Sequence, residues 1–169
     1  MGRGGGVSIT IRAAQPADAA LAFALVRELA EYEKLLAEMD STQETLAAAL
    51  FAPEPGLFCD IAEWNGEPAG CAIWFLNFSS FRGRHGLYLE DVFVRPHYRG
   101  KGLGRALMAQ LARRCVDNGW TRFEWTVLDW NKPSIDFYKS IGAKVMDDWK
   151  ICRLTGDALA QFARDGSRR

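Results

Sequence analysis

The chain has 169 residues, 49% of them apolar, and its 21 basic and 21 acidic side chains cancel to zero net charge. That length and composition predict one globular domain with a core of its own and exclude a disordered chain. The charge balance argues against bulk nucleic-acid binding, no apolar run reaches membrane-span length, and no signal-peptide pattern opens the sequence.

Residues 1–6 read as a flexible terminus, rich in glycine. Val7 to Ile11 alternates into a first strand. Asp18 is placed to cap a helix from about Ala19 to Leu36, with Leu21, Leu25, Leu29, Tyr32 and Leu36 on one face. Thr42 to Phe51 reads as a second helix, stopped by Pro53 and Pro55. Leu57 to Trp64 and Pro68 to Phe78 are strands around Asn65-Gly66, a hairpin signal. Ser79 to Gly86 reads as a loop and Leu87 to Val94 as a strand ended by Pro96. A helix from Leu103 to Asn118 buries Leu103, Leu107, Leu111 and Cys115 and stops at Gly119. Arg122 to Leu128 is a further strand, Pro133 to Ile141 a short helix before Gly142, and Lys150 to Leu154 a last strand. A short helix closes the chain. This order predicts an α/β fold with a mixed, twisted sheet of about six to seven strands and about four helices.

Cys59, Cys71, Cys115 and Cys152 are scattered with no C-x-x-C pair, which reads as reduced core thiols in a cytoplasmic protein. His85 and His97 fall in loops and match no metal spacing, so no metal is expected.

Arg99-Gly100-Lys101-Gly102-Leu103-Gly104 stands between a strand and a helix start. Converging backbone N–H groups and the helix dipole make such a turn an anion cradle, and glycines let phosphate oxygens approach. A nucleotide P-loop needs Lys and Ser/Thr after its last glycine, but Arg105-Ala106 follows here. The dinucleotide fingerprint fails as well: counted from Gly100 its sixth position is Arg105, and counted from Gly102 it is Leu107. Arg99, Lys101 and Arg105 flank the turn and suit phosphates, with solvation as the alternative for at least one. Glu90 and Asp91 lie mid-strand among apolar residues, and a period of two puts them on opposite faces. A carboxylate in such a strand faces a cleft or forms a buried ion pair. Asn131 is a helix cap with Ser134 three residues on. Tyr138 is either a packed aromatic or a phenol able to protonate a thiolate.

The R-x-x-G-x-G run resembles the pyrophosphate loop of the GNAT acyl-CoA transferases. Four segments extend the resemblance, closest to the diamine (spermidine/spermine) N-acetyltransferase branch. They are Glu28-Leu-Ala-Glu-Tyr-Glu33, Tyr88-Leu-Glu-Asp-Val-Phe-Val94, Tyr98-Arg-Gly-Lys-Gly-Leu-Gly104, and Trp130-Asn-Lys-Pro-Ser-Ile-Asp-Phe-Tyr138 with Gly142-Ala143. The resemblance implies acetyl-CoA-dependent acetylation of a small primary amine, a diamine, polyamine or thialysine-like amino acid, in a homodimer. It implies Glu90 as base or substrate anchor, Tyr138 as general acid, and Val92, Phe93 and Val94 as strand backbone for the cofactor arm. Asn131 and its neighbours also lie along that arm. Tyr32 and Glu33 match positions that approach the amine, and Asp148 lies in a segment that is acidic in polyamine enzymes. No cysteine sits at a matched catalytic position, so direct attack in a ternary complex is expected. Two alternatives stand beside this reading: a protein or peptide N-acetyltransferase, and a non-catalytic acyl-CoA-binding module.

Overall fold

The computed structural model describes residues 6–165, so the expectation of a flexible stretch over residues 1–6 falls almost wholly outside it. The chain forms two compact units, one up to Thr126 and one from Val127. The first holds strands β1 (Ile9–Ala13), β2 (Phe58–Trp64), β3 (Glu67–Ser79), β4 (Arg84–Val94) and β5 (Phe123–Trp125), with helices α1 (Ala19–Tyr32), α2 (Gln43–Leu50) and α3 (Leu103–Asp117). The second holds α4 (Lys132–Ser140) and α5 (Gly156–Asp165).

The sheet runs β1-β2-β3-β4-β5, antiparallel throughout except for the parallel β4–β5 pair. Alternation along β2 and β3 sorts two faces. Cys59, Ile61, Cys71 and Ile73 join Phe93 of β4 under Ala22, Leu25 and Leu29 of α1 and Leu50 of α2. Asp60 and Trp74 point the other way, where Arg114 of α3 bonds the Asp60 carboxylate at 2.6 Å and lies over the Trp74 ring. Trp74 Nε1 donates to the same carboxylate at 3.0 Å, so a charge only 1% exposed keeps two partners.

The Asn65-Gly66 hairpin forms as expected, both residues taking positive φ (51° and 84°), which sets a two-residue turn between β2 and β3. Several boundaries differ from the sequence reading. Helix α1 stops at Tyr32 rather than Leu36, because Lys34 adopts a left-handed φ of 62° and the Leu35 N–H returns to the Ala30 carbonyl. Asp18 does not cap α1: its carboxylate is taken by Arg12 (2.7 Å) and the Gln15 N–H. The expected loop 79–86 is mostly strand, since β3 and β4 extend into it on either side of a short turn. The described sheet has five strands, not six or seven, with five α-helices rather than four. Lys150–Leu154 forms no strand and is exposed, and β5 keeps only three residues of the stretch assigned to it. Cys59, Cys71 and Cys115 are buried free thiols, whereas Cys152 is exposed.

Candidate active site

Strand β4 is where the sheet departs from regularity. Leu89 pairs with Trp74 of β3, but the next β3 residue, Ile73, pairs with Asp91, so Glu90 is an inserted bulge residue. The bulge resets the alternation. Leu87 and Leu89 lie on the α3 side with Trp74, while Asp91 and Phe93 pair with Ile73 and Cys71 on the α1 side. The expectation that Glu90 and Asp91 occupy opposite faces therefore fails: without the bulge Glu90 already belongs to the α1 side, and the bulge turns Asp91 there too.

The same residue marks a second change. β5 pairs with β4 only from Leu87 to Leu89, so Glu90–Val94 continue with no strand on that edge among the described residues. Main-chain groups of Val92 and Val94 that face away from β3 therefore have no strand partner among the described residues, although the Val94 carbonyl accepts from Arg99. On the β3 side the approach is close. A Cβ at Gly70 would stand 2.3 Å from the Phe93 carbonyl oxygen, so only glycine admits β4 at that distance.

β4 leads through a 3-10 turn at Pro96–Tyr98 into the glycine loop. Gly100 and Gly102 take left-handed φ values of 73° and 92°. The helix proper begins with the Ala106 N–H donating to the Gly102 carbonyl, so the N–H groups ahead of Ala106 have no helical acceptor. No side chain caps this end, which leaves the α3 N-terminus as an anion cradle built of Gly102, Leu103, Gly104 and Arg105 backbone. Leu103 itself is buried and anchors the turn to the core. Two of the flanking cations are held on protein aromatics. The Arg99 guanidinium stacks 4.5 Å from the Tyr32 ring centre while its Nε donates to the Val94 carbonyl at 2.9 Å. The Lys101 ammonium lies over Trp64 and Tyr98. Arg105 is exposed on the first turn of α3.

Carboxylates complete this unit's polar geometry. Glu28 is fully engaged by Arg95, whose Nε and Nη2 fork onto both of its oxygens at 2.8–3.2 Å. Glu33 is half-buried at the end of α1, and burial raises its pKa. Burial pushes the Asp91 carboxyl up to about 7, with the nearby charges of Glu90 and Glu33 adding to the shift. Glu90 is exposed. The sequence reading named Glu33 and Glu90 but left Asp91 on the opposite face, because a bulge leaves no residue signature in Leu-Glu-Asp-Val.

In the second unit Asn131 is 5% exposed, and its side-chain oxygen accepts from the Ser134 N–H at 3.4 Å at the start of α4. Tyr138 is 9% exposed, one helical position past Phe137, and Gly142 at φ 90° closes the helix. Asp148 is exposed. Trp130 and Trp149 are 51% and 76% exposed. No group of three metal-ligating side chains occurs among the described residues, and none of their helices is long and apolar enough to cross a membrane.

The model of the acetyltransferase (GNAT) family matches residues 22–143, most of the first unit and the start of the second. A thialysine N-epsilon-acetyltransferase of Sus scrofa is 36% identical over 92% of this chain and 98% of its own length. An L-ornithine N5-acetyltransferase of Arabidopsis thaliana is 47% identical over 54% of this chain and 40% of its own. Among solved structures, an integron cassette protein from the mobile metagenome of V. cholerae superposes with a TM-score of 0.77 at 26% identity, covering 93% of this chain and 98% of that one. The parted strand β4 and the glycine loop that follows it thus belong to a shared framework, and the chain is a member of the acetyltransferase (GNAT) family.

Proposed function

We propose that this protein transfers the acetyl group of acetyl-CoA to a small primary amine, as a single acetyltransferase domain. The observation that carries the reading is the parting of β4 from β5 at Glu90, eight residues ahead of Tyr98 and the glycine loop. An open strand edge suits the amide-bearing arm of CoA, and the α3 N-terminus suits its pyrophosphate. The thialysine and ornithine enzymes named above favour an amine carried on an amino-acid-like or diamine skeleton.

The substrate nitrogen arrives as an ammonium, with a pKa of about 10.4, and must lose its proton before attack. In our reading Glu90 accepts that proton, directly or through water. The free amine then attacks the thioester carbon within a ternary complex, and main-chain N–H groups on the open β4 edge stabilise the oxyanion. The C–S bond breaks as the oxyanion collapses, the phenol of Tyr138 protonates the departing thiolate, and the second proton of the attacking nitrogen leaves to solvent, which reprotonates Tyr138. Val92–Val94, the loop from Arg99 to Arg105, Asn131 and Ser134 hold the cofactor. Tyr32, Glu33 and Asp148 receive the amine. The protein works as a cytoplasmic homodimer, without nucleic-acid or membrane partners.

The test is thiol release from acetyl-CoA with putrescine, spermidine, spermine, ornithine, lysine, thialysine and a lysine peptide. Saturable turnover of one or more of the small amines is the expected result. Acetylation of the peptide alone would replace this reading with a protein acetyltransferase. CoA binding with no turnover of any amine would replace it with a non-catalytic module.

A further inference from the structure

The open edge of β4 is a slot closed at one end. Val94 stands at its outer end, on the side of the glycine loop, and the last β4–β5 rung, Leu89 paired with Trp125, shuts its inner end. From Val94 to Glu90 the strand rises about 13 Å. Strands joined at a rung lie about 4.8 Å apart, so no chain passes between Leu89 and Trp125 in the plane of the sheet. A group that reaches this rung has to leave the plane on one side or the other. On the α1 side stand Asp91 and Phe93. On the α3 side stand Leu87 and Leu89, both buried, and paired residues of parallel strands share a face, so Phe123 and Trp125 join them there. The two rings of β5 touch, with centres 4.9 Å apart and planes at 57°. The largest side chain available to a protein therefore occupies the rung where the slot ends, braced from behind by a second aromatic.

Acyl transfer from CoA gives this slot an occupant, and the inference rests on that reading. A pyrophosphate at the α3 N-terminus puts the outer end of the CoA arm beside the glycine loop, so the thioester end points at the closed rung. The acyl group is the part that arrives there. The amine reaches the carbonyl carbon from the α1 side, where Glu33 and Asp91 lie. An acyl chain that turned to that side would stand in the path of the amine. The other exit is the α3 side, and Trp125 fills it. We propose that Trp125 is the specificity determinant for the acyl donor. Its indole, held by Phe123, floors the slot and limits the transferred group to acetyl, with propionyl tolerated and butyryl or longer chains excluded.

The experiment measures kcat/KM for acetyl-, propionyl-, butyryl- and hexanoyl-CoA, with the best amine of the panel above, in wild type, Trp125→Leu and Trp125→Ala. Each carbon that does not fit costs about 10–200-fold, so wild type is expected to favour acetyl- over butyryl-CoA by about 100-fold or more. Trp125→Ala is expected to bring that ratio within about tenfold, and Trp125→Leu to fall between the two. A wild-type series flat from acetyl to butyryl would overturn the proposal. So would a variant that loses equally on every thioester and keeps the wild-type ratio, which marks a purely structural role. The leucine variant carries the test if the alanine variant does not fold. Titration calorimetry without amine gives a second reading. Butyryl-CoA should bind wild type about tenfold more weakly than acetyl-CoA, and Trp125→Leu should narrow the gap to about threefold. Equal affinity of wild type for the two thioesters would also overturn it. Failure of the underlying reading looks different: no acyl-CoA would support thiol release with any amine.

Discussion

Replacing Asp91 by asparagine should stabilise the unliganded protein, and only at the upper end of the pH range. In the folded chain this carboxyl titrates at about 7 instead of the ordinary 3.8, a shift caused first by burial and then by Glu90 and Glu33. Three units at 1.36 kcal/mol each give an upper bound of about 4 kcal/mol, and partial solvent access brings the expectation to about 2–4 kcal/mol. The sign follows from which state ionises first. Below pH 3.8 the carboxyl is protonated in both states and contributes nothing against folding. As pH rises the unfolded chain ionises first, and folding loses stability until the folded carboxyl also ionises near 7. Above that the loss is constant. Asparagine keeps the shape and removes the titration. For a domain of this size each kcal/mol moves Tm by about 2–4 °C, so the variant should melt roughly 5–15 °C above wild type at pH 8.5. The two should coincide near pH 4. Thermal unfolding of both proteins by circular dichroism across pH 4–9 provides the comparison, and taking the difference cancels the titrating groups that do not interact with Asp91. A gap that does not change with pH refutes the reasoning. An asparagine variant less stable at pH 8.5 does so more directly, because it would mean that Asp91 holds a favourable partner in the folded state.

Other consequences are open to measurement. Tyr138→Phe should keep the dissociation constant for CoA and lose about 10²-fold in kcat, while Glu90→Gln should lose most below neutral pH, where free amine is scarcest. A pH–rate profile superimposable on wild type would remove Glu90 from proton transfer, and an unchanged kcat would remove Tyr138. Gly70→Ala drives a methyl group against the Phe93 carbonyl oxygen, 2.3 Å away, and β4 must shift. The expected cost is about 1–3 kcal/mol together with a raised KM for acetyl-CoA, read by denaturant unfolding and initial rates. Arg114→Ala strands the Asp60 carboxylate, 1% exposed, with only the Trp74 N–H. About 3–5 kcal/mol of stability should disappear while the amine KM of the surviving folded enzyme is unchanged.

What the sequence revealed and what it concealed divide along a physical line. The glycine loop was legible because left-handed φ at Gly100 and Gly102 and an open helix start demand particular residues at fixed spacing. The ends of α3 and α4 were legible for the same reason, at Gly119 and Gly142. The end of α1 was not, because Lys34 occupies the left-handed position with no glycine to announce it. Asp18 reads locally as a cap, yet Arg12, six residues earlier, claims its carboxylate. Lys150–Leu154 has strand-forming residues but no neighbouring strand to pair with among the described residues. The bulge at Glu90 is the most instructive miss. Its position is set by registration against Ile73 and Trp74 on another strand, so nothing local to Glu90 encodes it. The carboxylates were visible as chemistry, but their shared face became visible only through pairing.

The fork between Arg95 and Glu28 has a mechanical consequence. Both partners are only partly exposed, Arg95 also donates to the Pro68 carbonyl at 3.0 Å, and its own N–H reaches the Ala69 carbonyl at 2.9 Å. One guanidinium therefore clamps α1, the start of β3 and the residue that follows β4. The helix that carries Tyr32 and Glu33 cannot slide against the strand that carries Glu90 and Asp91 without breaking a bidentate ion pair. On the proposed reading that an amine binds beside them, their spacing is fixed before the acceptor arrives, and little ordering entropy is lost on binding.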